Sequence, residues 1–148
     1  MNSLVCVDAS LVLKLVLGED DSPRAIALWR RWIDESVTVA APPLLAYEVT
    51  SVLRTKVYRG LLALESGDEA FREIHAQGIH YLVPENLHTR AWELAKWLHR
   101  PATYDAHYLA LAKILGCEFW TADARLAIAV KEKLPWVRHL GESQPPHD

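Results

Sequence analysis

Leu4-Val5-Cys6-Val7-Asp8-Ala9-Ser10 is the stretch that decides the fold. Four apolar residues, two of them β-branched valines, run together without a polar break. That is the pattern of a buried strand. An acid follows directly, and Ser10 then offers a cap to the apolar run Leu11 to Leu17, which Gly18 closes as a helix.

The same alternation continues outward. Asp20-Asp21-Ser22-Pro23 opens a second helix, with Ile26, Leu28, Trp29, Trp32 and Ile33 at roughly helical spacing. Val37 to Ala40 reads as a second strand, ended by Pro42 and Pro43. A helix runs from Leu44 toward Arg59 and stops at Gly60, and another spans Leu64 to Gln77. Ile79 to Val83 reads as a third strand, stopped by Pro84. Leu87 to His99 is an amphipathic helix that Pro101 breaks. Thr103-Tyr104-Asp105 opens a helix over Ala106 to Leu115, ended by Gly116. Glu118 to Thr121 is a fourth strand, Ala122 to Leu134 a helix, and Trp136 to Leu140 a fifth strand. Short apolar strands alternating with helices predict an α/β layer fold on a mostly parallel sheet of four to five strands. There is no internal repeat or dividing linker. One domain is expected over residues 1–140, with a flexible tail over 141–148.

Composition narrows the class. A chain of 148 residues is long enough to bury a core without disulfides or a structural metal. A net charge of −3 argues against tight non-specific DNA binding. It leaves room for a nucleic-acid substrate wherever a bound cation offsets the charge. Cys6 and Cys117 each sit in an apolar segment and read as buried free thiols of a reducing cytosol. No targeting or membrane-spanning segment is visible, so a cytoplasmic protein is expected.

In open parallel sheets, sites form beyond the carboxyl ends of the strands. Asp8 follows the first strand there, and Asp123 follows the fourth. Asp105 lies in the first turn of its helix, and Glu48 lies one to two turns into the helix after Pro42-Pro43. Taken singly, Asp105 suits a helix N-terminus, Asp123 a cap or turn, and Glu48 a solvated helix position. Asp8 is harder to explain in this way, because an acid abutting a buried strand needs a partner or a cation. As a set, clustered carboxylates repel one another, and a hard cation such as Mg²⁺ or Mn²⁺ resolves the conflict. His107, two positions from Asp105, points to another helix face.

Val7-Asp8-Ala9-Ser10, Ala46-Tyr47-Glu48-Val49, Tyr104-Asp105-Ala106-His107-Tyr108 and Trp120-Thr121-Ala122-Asp123, in this order and spacing, resemble the PIN-domain family. The closer resemblance is to its VapC-type toxin ribonucleases. The match covers roughly Leu4 to Leu140. It implies a three-layer α/β/α sandwich and a metal-dependent endoribonuclease that leaves a 3′-hydroxyl. It also implies a homodimer, an RNA substrate and an antitoxin protein partner. By position, Asp8, Glu48, Asp105 and Asp123 carry over as catalytic and metal-binding acids. Ser10 and Thr121 carry over as polar neighbours that orient acids or bind water and phosphate. The alternative is the same fold used as an RNA- or protein-binding module with little or no turnover.

Overall fold

The computed structural model describes residues 3–146. Five strands form one sheet: β1 (Leu4–Val7), β2 (Thr38–Ala41), β3 (His80–Tyr81), β4 (Glu118–Thr121) and β5 (Val137–His139). Their order is β3-β2-β1-β4-β5, and every pairing is parallel. Parallel neighbours need long crossovers, and helices supply them. These are α1 (Ala9–Leu17), α2 (Ser22–Asp34), α3 (Leu44–Tyr58), α4 (Leu64–His75), α5 (Leu87–Trp97), α6 (Tyr104–Leu115) and α7 (Ala124–Val130). The expected α/β architecture is present, with helices flanking an all-parallel sheet.

β1 lies at the centre because it can be buried from both sides. Val5, Cys6 and Val7 are all buried, with Cys6 level with Ala40 on one flank and Phe119 on the other. α6 is apolar almost all round, and Ala106 and Tyr108 through Ala112 are buried against β1, β4 and α5. A helix of that kind belongs in the core. α1 packs against α2, α3, α4 and β4. The chain lays down β2 and β3 on one side of β1, then returns to lay down β4 and β5 on the other. The strand order reverses between β1 and β4, and a crevice at such a reversal is where α/β sheets place ligands.

Several boundaries differ from those expected. The third strand shrinks from Ile79–Val83 to His80–Tyr81 because β2, its only neighbour among the described residues, ends at Ala41 before Pro42. α7 runs only from Ala124 to Val130, and β5 only from Val137 to His139. The cap of α1 is Asp8 and not Ser10. Asp8 holds extended backbone angles and its side chain accepts from the Leu11 N–H, so Ser10 falls inside the first turn. The tail from Gly141 is tied down as far as Ser143. A 3₁₀ turn covers Leu140–Glu142, Lys131 pairs with Glu142, and the Arg24 guanidinium donates to the carbonyl of buried Ser143. Gln144 to Pro146 are exposed, and the last tail residues, His147 and Asp148, lie outside the described residues. Trp29 and Trp32 join the core, whereas Trp92 and Trp97 are largely exposed.

Both cysteines are free, as expected, but they are not independent. Their sulfurs meet at 3.6 Å although 111 residues separate them. Cys117 is partly exposed and its pKa is lowered by the hydrogen bond with Cys6, whose own thiol is pushed up by that bond and by burial. Cys117 is therefore expected to alkylate first and Cys6 to stay unreacted until the fold opens. Mass-spectrometric mapping after iodoacetamide treatment at mild alkaline pH checks the order.

Candidate active site

The turn from β1 into α1 has a single linking residue, Asp8, which is only 6% exposed. Two hydroxyls hold its carboxylate. Ser10 Oγ donates to Asp8 Oδ1 at 2.6 Å and Thr121 Oγ1 donates to Asp8 Oδ2 at 2.6 Å, while the Leu11 N–H reaches Oδ1 at 3.1 Å. Each hydroxyl has one proton, so both are committed to Asp8 and both oxygens remain acceptors. Ser10 Oγ takes the Ala122 N–H and Thr121 Oγ1 takes the Asp123 N–H, each at 3.0 Å. This network locks the β1–α1 turn to the β4–α7 turn across the switch point. It is a consequence of the register, which sets Val7 beside Trp120 and so Asp8 beside Thr121.

Burial pushes the Asp8 carboxyl up to about 6 from its ordinary 3.8. The three hydrogen bonds pull the other way and lose, and the nearby Asp105 charge adds to the upward push. Asp105 opens α6 and is turned to Arg100, whose guanidinium lies 3.3 Å from Oδ2. Glu48 stands on α3 beside the buried stripe Leu45, Val49 and Leu53. Its Oε1 accepts from the Tyr108 hydroxyl. Burial and that bond hold the Tyr108 phenol far above its ordinary range, so Tyr108 acts as a donor and not as a base. Asp123 is exposed and caps α7, accepting from the Arg125 and Leu126 N–H groups at 3.0 and 3.2 Å.

Asp8 feels the charge of Asp105, and the Tyr108 hydroxyl feels both Glu48 and Asp8. Asp123 is tied to the group through its backbone, whose N–H donates to Thr121 Oγ1, while its carboxylate caps α7. The four acids therefore stand around one region of the sheet's carboxyl edge, but they are not closed around a point. Among the described residues, no three His, Cys, Asp or Glu side chains are gathered closely enough to hold an ion. The physical reason is visible: each acid is claimed by its own local donor, and like charges resist closer approach. Sequence reasoning assigned no role to Tyr108 or Arg100. Tyr108 sits three residues after Asp105 and so shares its helix face, which was the available signal. His107 points away, to the Thr103 carbonyl and His88.

The PIN domain family pattern matches residues 5–132. This chain belongs to the PIN-domain family. Among curated PIN proteins, it is 30% identical over 132 residues to the ribonuclease VapC9 of Mycobacterium tuberculosis and to a VapC ribonuclease of Mycobacterium bovis. Those alignments cover 89% of this chain and 95% of each relative. Two solved structures share the fold. PAE2754 from Pyrobaculum aerophilum superposes with a TM-score of 0.68 at 20% identity, covering 95% of this chain and 93% of its own. Mycobacterium tuberculosis VapC20, a toxin that cleaves the sarcin-ricin loop, gives 0.59 at 19%, covering 84% of this chain and 94% of its own.

In this PIN chain the raised carboxyl means that the folded state holds the Asp8 proton more tightly than the unfolded chain does. That contribution is complete below about pH 4 and is lost as pH rises through about 6. In metal-free buffer, Asp8→Asn is expected to exceed the parent in stability at pH 8 by about 2 kcal/mol, the gap closing at low pH. Urea denaturation at both pH values decides it. A variant weaker than the parent at pH 8 means that the hydrogen bonds to the carboxylate outweigh burial. Tyr108→Phe removes the Glu48 donor without changing the packing and is expected to cost about 1 kcal/mol, read from the same titrations.

Proposed function

We propose that this chain is the endoribonuclease toxin of a toxin–antitoxin pair, hydrolysing RNA phosphodiester bonds with Mg²⁺ or Mn²⁺ as cofactor. Asp8 carries the reading. It is a buried carboxylate at the switch point of a PIN sheet, and no cationic side chain pairs with it among the described residues. Charge buried in that way calls for a countercharge. The substrate class comes from the relatives, which are VapC ribonucleases at 30% identity along most of the chain.

The donor chemistry fits a hard divalent ion. The acids offer oxygen only, and the two thiols are hydrogen-bonded to each other. Asp8 and Asp105 would hold the ion, with Asp123 and Glu48 completing the site, in part through water. When bound, the cation supplies positive charge that stabilises the scissile phosphate and acidifies the attacking water. Ser10 and Thr121 fix both oxygens of Asp8 and so fix the plane of its carboxylate. Tyr108 holds Glu48 by one oxygen and leaves the other open to accept from water or a ribose hydroxyl. Hydrolysis is in line and leaves a 3′-hydroxyl, with no covalent enzyme intermediate.

A homodimer, an antitoxin partner and a cytoplasmic setting belong to the same reading. The VapC relatives support the antitoxin. Trp92 and Trp97, 60% and 51% exposed on α5, offer apolar surface for protein contact. No helix among the described residues is long and apolar enough to cross a membrane.

One observation favours the second reading, a binding module with little turnover: every acid already has a local partner. A single experiment separates the two. Purified protein is incubated with RNA in Mg²⁺, Mn²⁺ or EDTA. The toxin reading expects cleavage with metal only, and a loss of about two to three orders of magnitude in Asp8→Asn and Asp105→Asn. RNA binding that survives both substitutions, with no cleavage under any condition, selects the module. Equal cleavage in EDTA sinks the metal-dependent mechanism.

A further inference from the structure

We infer that a cavity beside the acids is the seat of one nucleobase of the RNA strand, next to the scissile phosphate; this rests on the ribonuclease reading above. The cavity is about 360 Å³ and opens at the carboxyl edge of the sheet, between the starts of α3, α5 and α6. Its apolar floor is Pro42, Leu44 and Leu87, and Tyr47 and Tyr104 line it as well. These two rings are 72% and 64% exposed, and both stand on the same cavity, so their faces are available to an occupant. Each immediately precedes a site acid: Tyr47 precedes Glu48 and Tyr104 precedes Asp105. On a helix, adjacent residues lie about 100° apart, so an occupant of the cavity stands beside the acids and not among them.

The lining favours one class of occupant. It contains no Lys, Arg, Asp or Glu, so it offers a phosphate or a charged peptide group no fixed countercharge. Of the parts of an RNA strand, only the base is uncharged, planar and suited to stack on tyrosine.

A polar reader is also present. His88 and His107 line the same cavity, and His88 Nδ1 lies 2.9 Å from His107 Nε2. His107 Nδ1 lies 2.6 Å from the Thr103 carbonyl, which only accepts, so that nitrogen carries the proton. With both rings neutral, His107 Nε2 accepts from His88 Nδ1–H. That leaves His88 Nε2 as an acceptor with no protein partner among the described residues. An acceptor at the cavity wall takes an amino or imino N–H from the base edge, and the place of that N–H differs from base to base.

The test uses the full chain and two probes. The first is a randomised single-stranded RNA pool, cleaved with Mn²⁺ and sequenced at the new ends. Tyr47→Ala and Tyr104→Ala are expected to lower kcat/KM about tenfold, mainly through KM, and to flatten the base preference at one position beside the cut. His88→Leu is expected to change the preference at that same position. Both tyrosines and His88 are exposed, so these substitutions leave the core intact. Unaltered preference in all three variants overturns the inference. The second probe is titration of free nucleosides followed by NMR of the histidine rings. Shifts at His88 and His107 that vanish in Tyr104→Ala support the base seat even in a protein that cuts no RNA, in which case only the nuclease reading fails. Absence of any nucleoside shift in the parent, with cleavage intact, overturns the seat and leaves the nuclease.

Discussion

Asp8 is held where its charge is unfavourable, and much of the site's architecture serves that placement. A carboxylate at the end of the central strand is kept here because its oxygens are filled with donors and its side chain caps a helix. The chain does both with few residues. Ser10 and Thr121 supply the hydroxyls, Leu11 supplies the N–H, and the parallel β1–β4 register brings the two turns together. Even so, burial outweighs three hydrogen bonds and lifts the carboxyl to about 6. On the proposed role of Asp8, a site that stabilises the neutral acid while metal binding needs the anion would give up stability for function.

Much of this was legible in the sequence because it depends on strand ends. Leu4 to Val7 announces a buried strand, and the residue after a buried parallel strand must face the crevice. The same logic found Asp123 just beyond Glu118 to Thr121, whereas Thr121 came from the family resemblance. It failed where a contact depends on helix rotation or on a fold-level approach of distant segments. Tyr108 meets Glu48 across 60 positions, and Cys117 meets Cys6 across 111. No local pattern carries either pairing. The third strand is shorter than its composition suggests for a related reason: Ile79 to Val83 has the residues of a strand, but its length is set by β2, which stops at Ala41.

Ser10 shows how two correct principles compete. A serine just before an apolar run is a good cap, and so is an aspartate two residues earlier. Asp8 takes the cap because β1 runs to Val7 and α1 starts at Ala9, leaving one residue between them. Ser10 is then released for a second task. Its hydroxyl donates to Asp8 and its oxygen accepts from Ala122, so one side chain stitches together two turns.

The acids differ in how firmly they are held, and that difference suits a site that closes around a ligand. Asp8 is rigid on both oxygens. Asp105 is bound to Arg100 by an ion pair whose side chains are 43% and 31% exposed. Exposed pairs of this kind contribute about 0 to 1 kcal/mol, so turning Asp105 toward Asp8 costs little. Asp123 keeps one carboxylate oxygen free while the other caps α7, and Glu48 keeps one free while Tyr108 holds the other. The arrangement is one fixed carboxylate with three adjustable neighbours. A hard cation between Asp8 and Asp105 would replace their mutual repulsion with attraction to both, and the weak Arg100 bridge is the main contact it would have to displace.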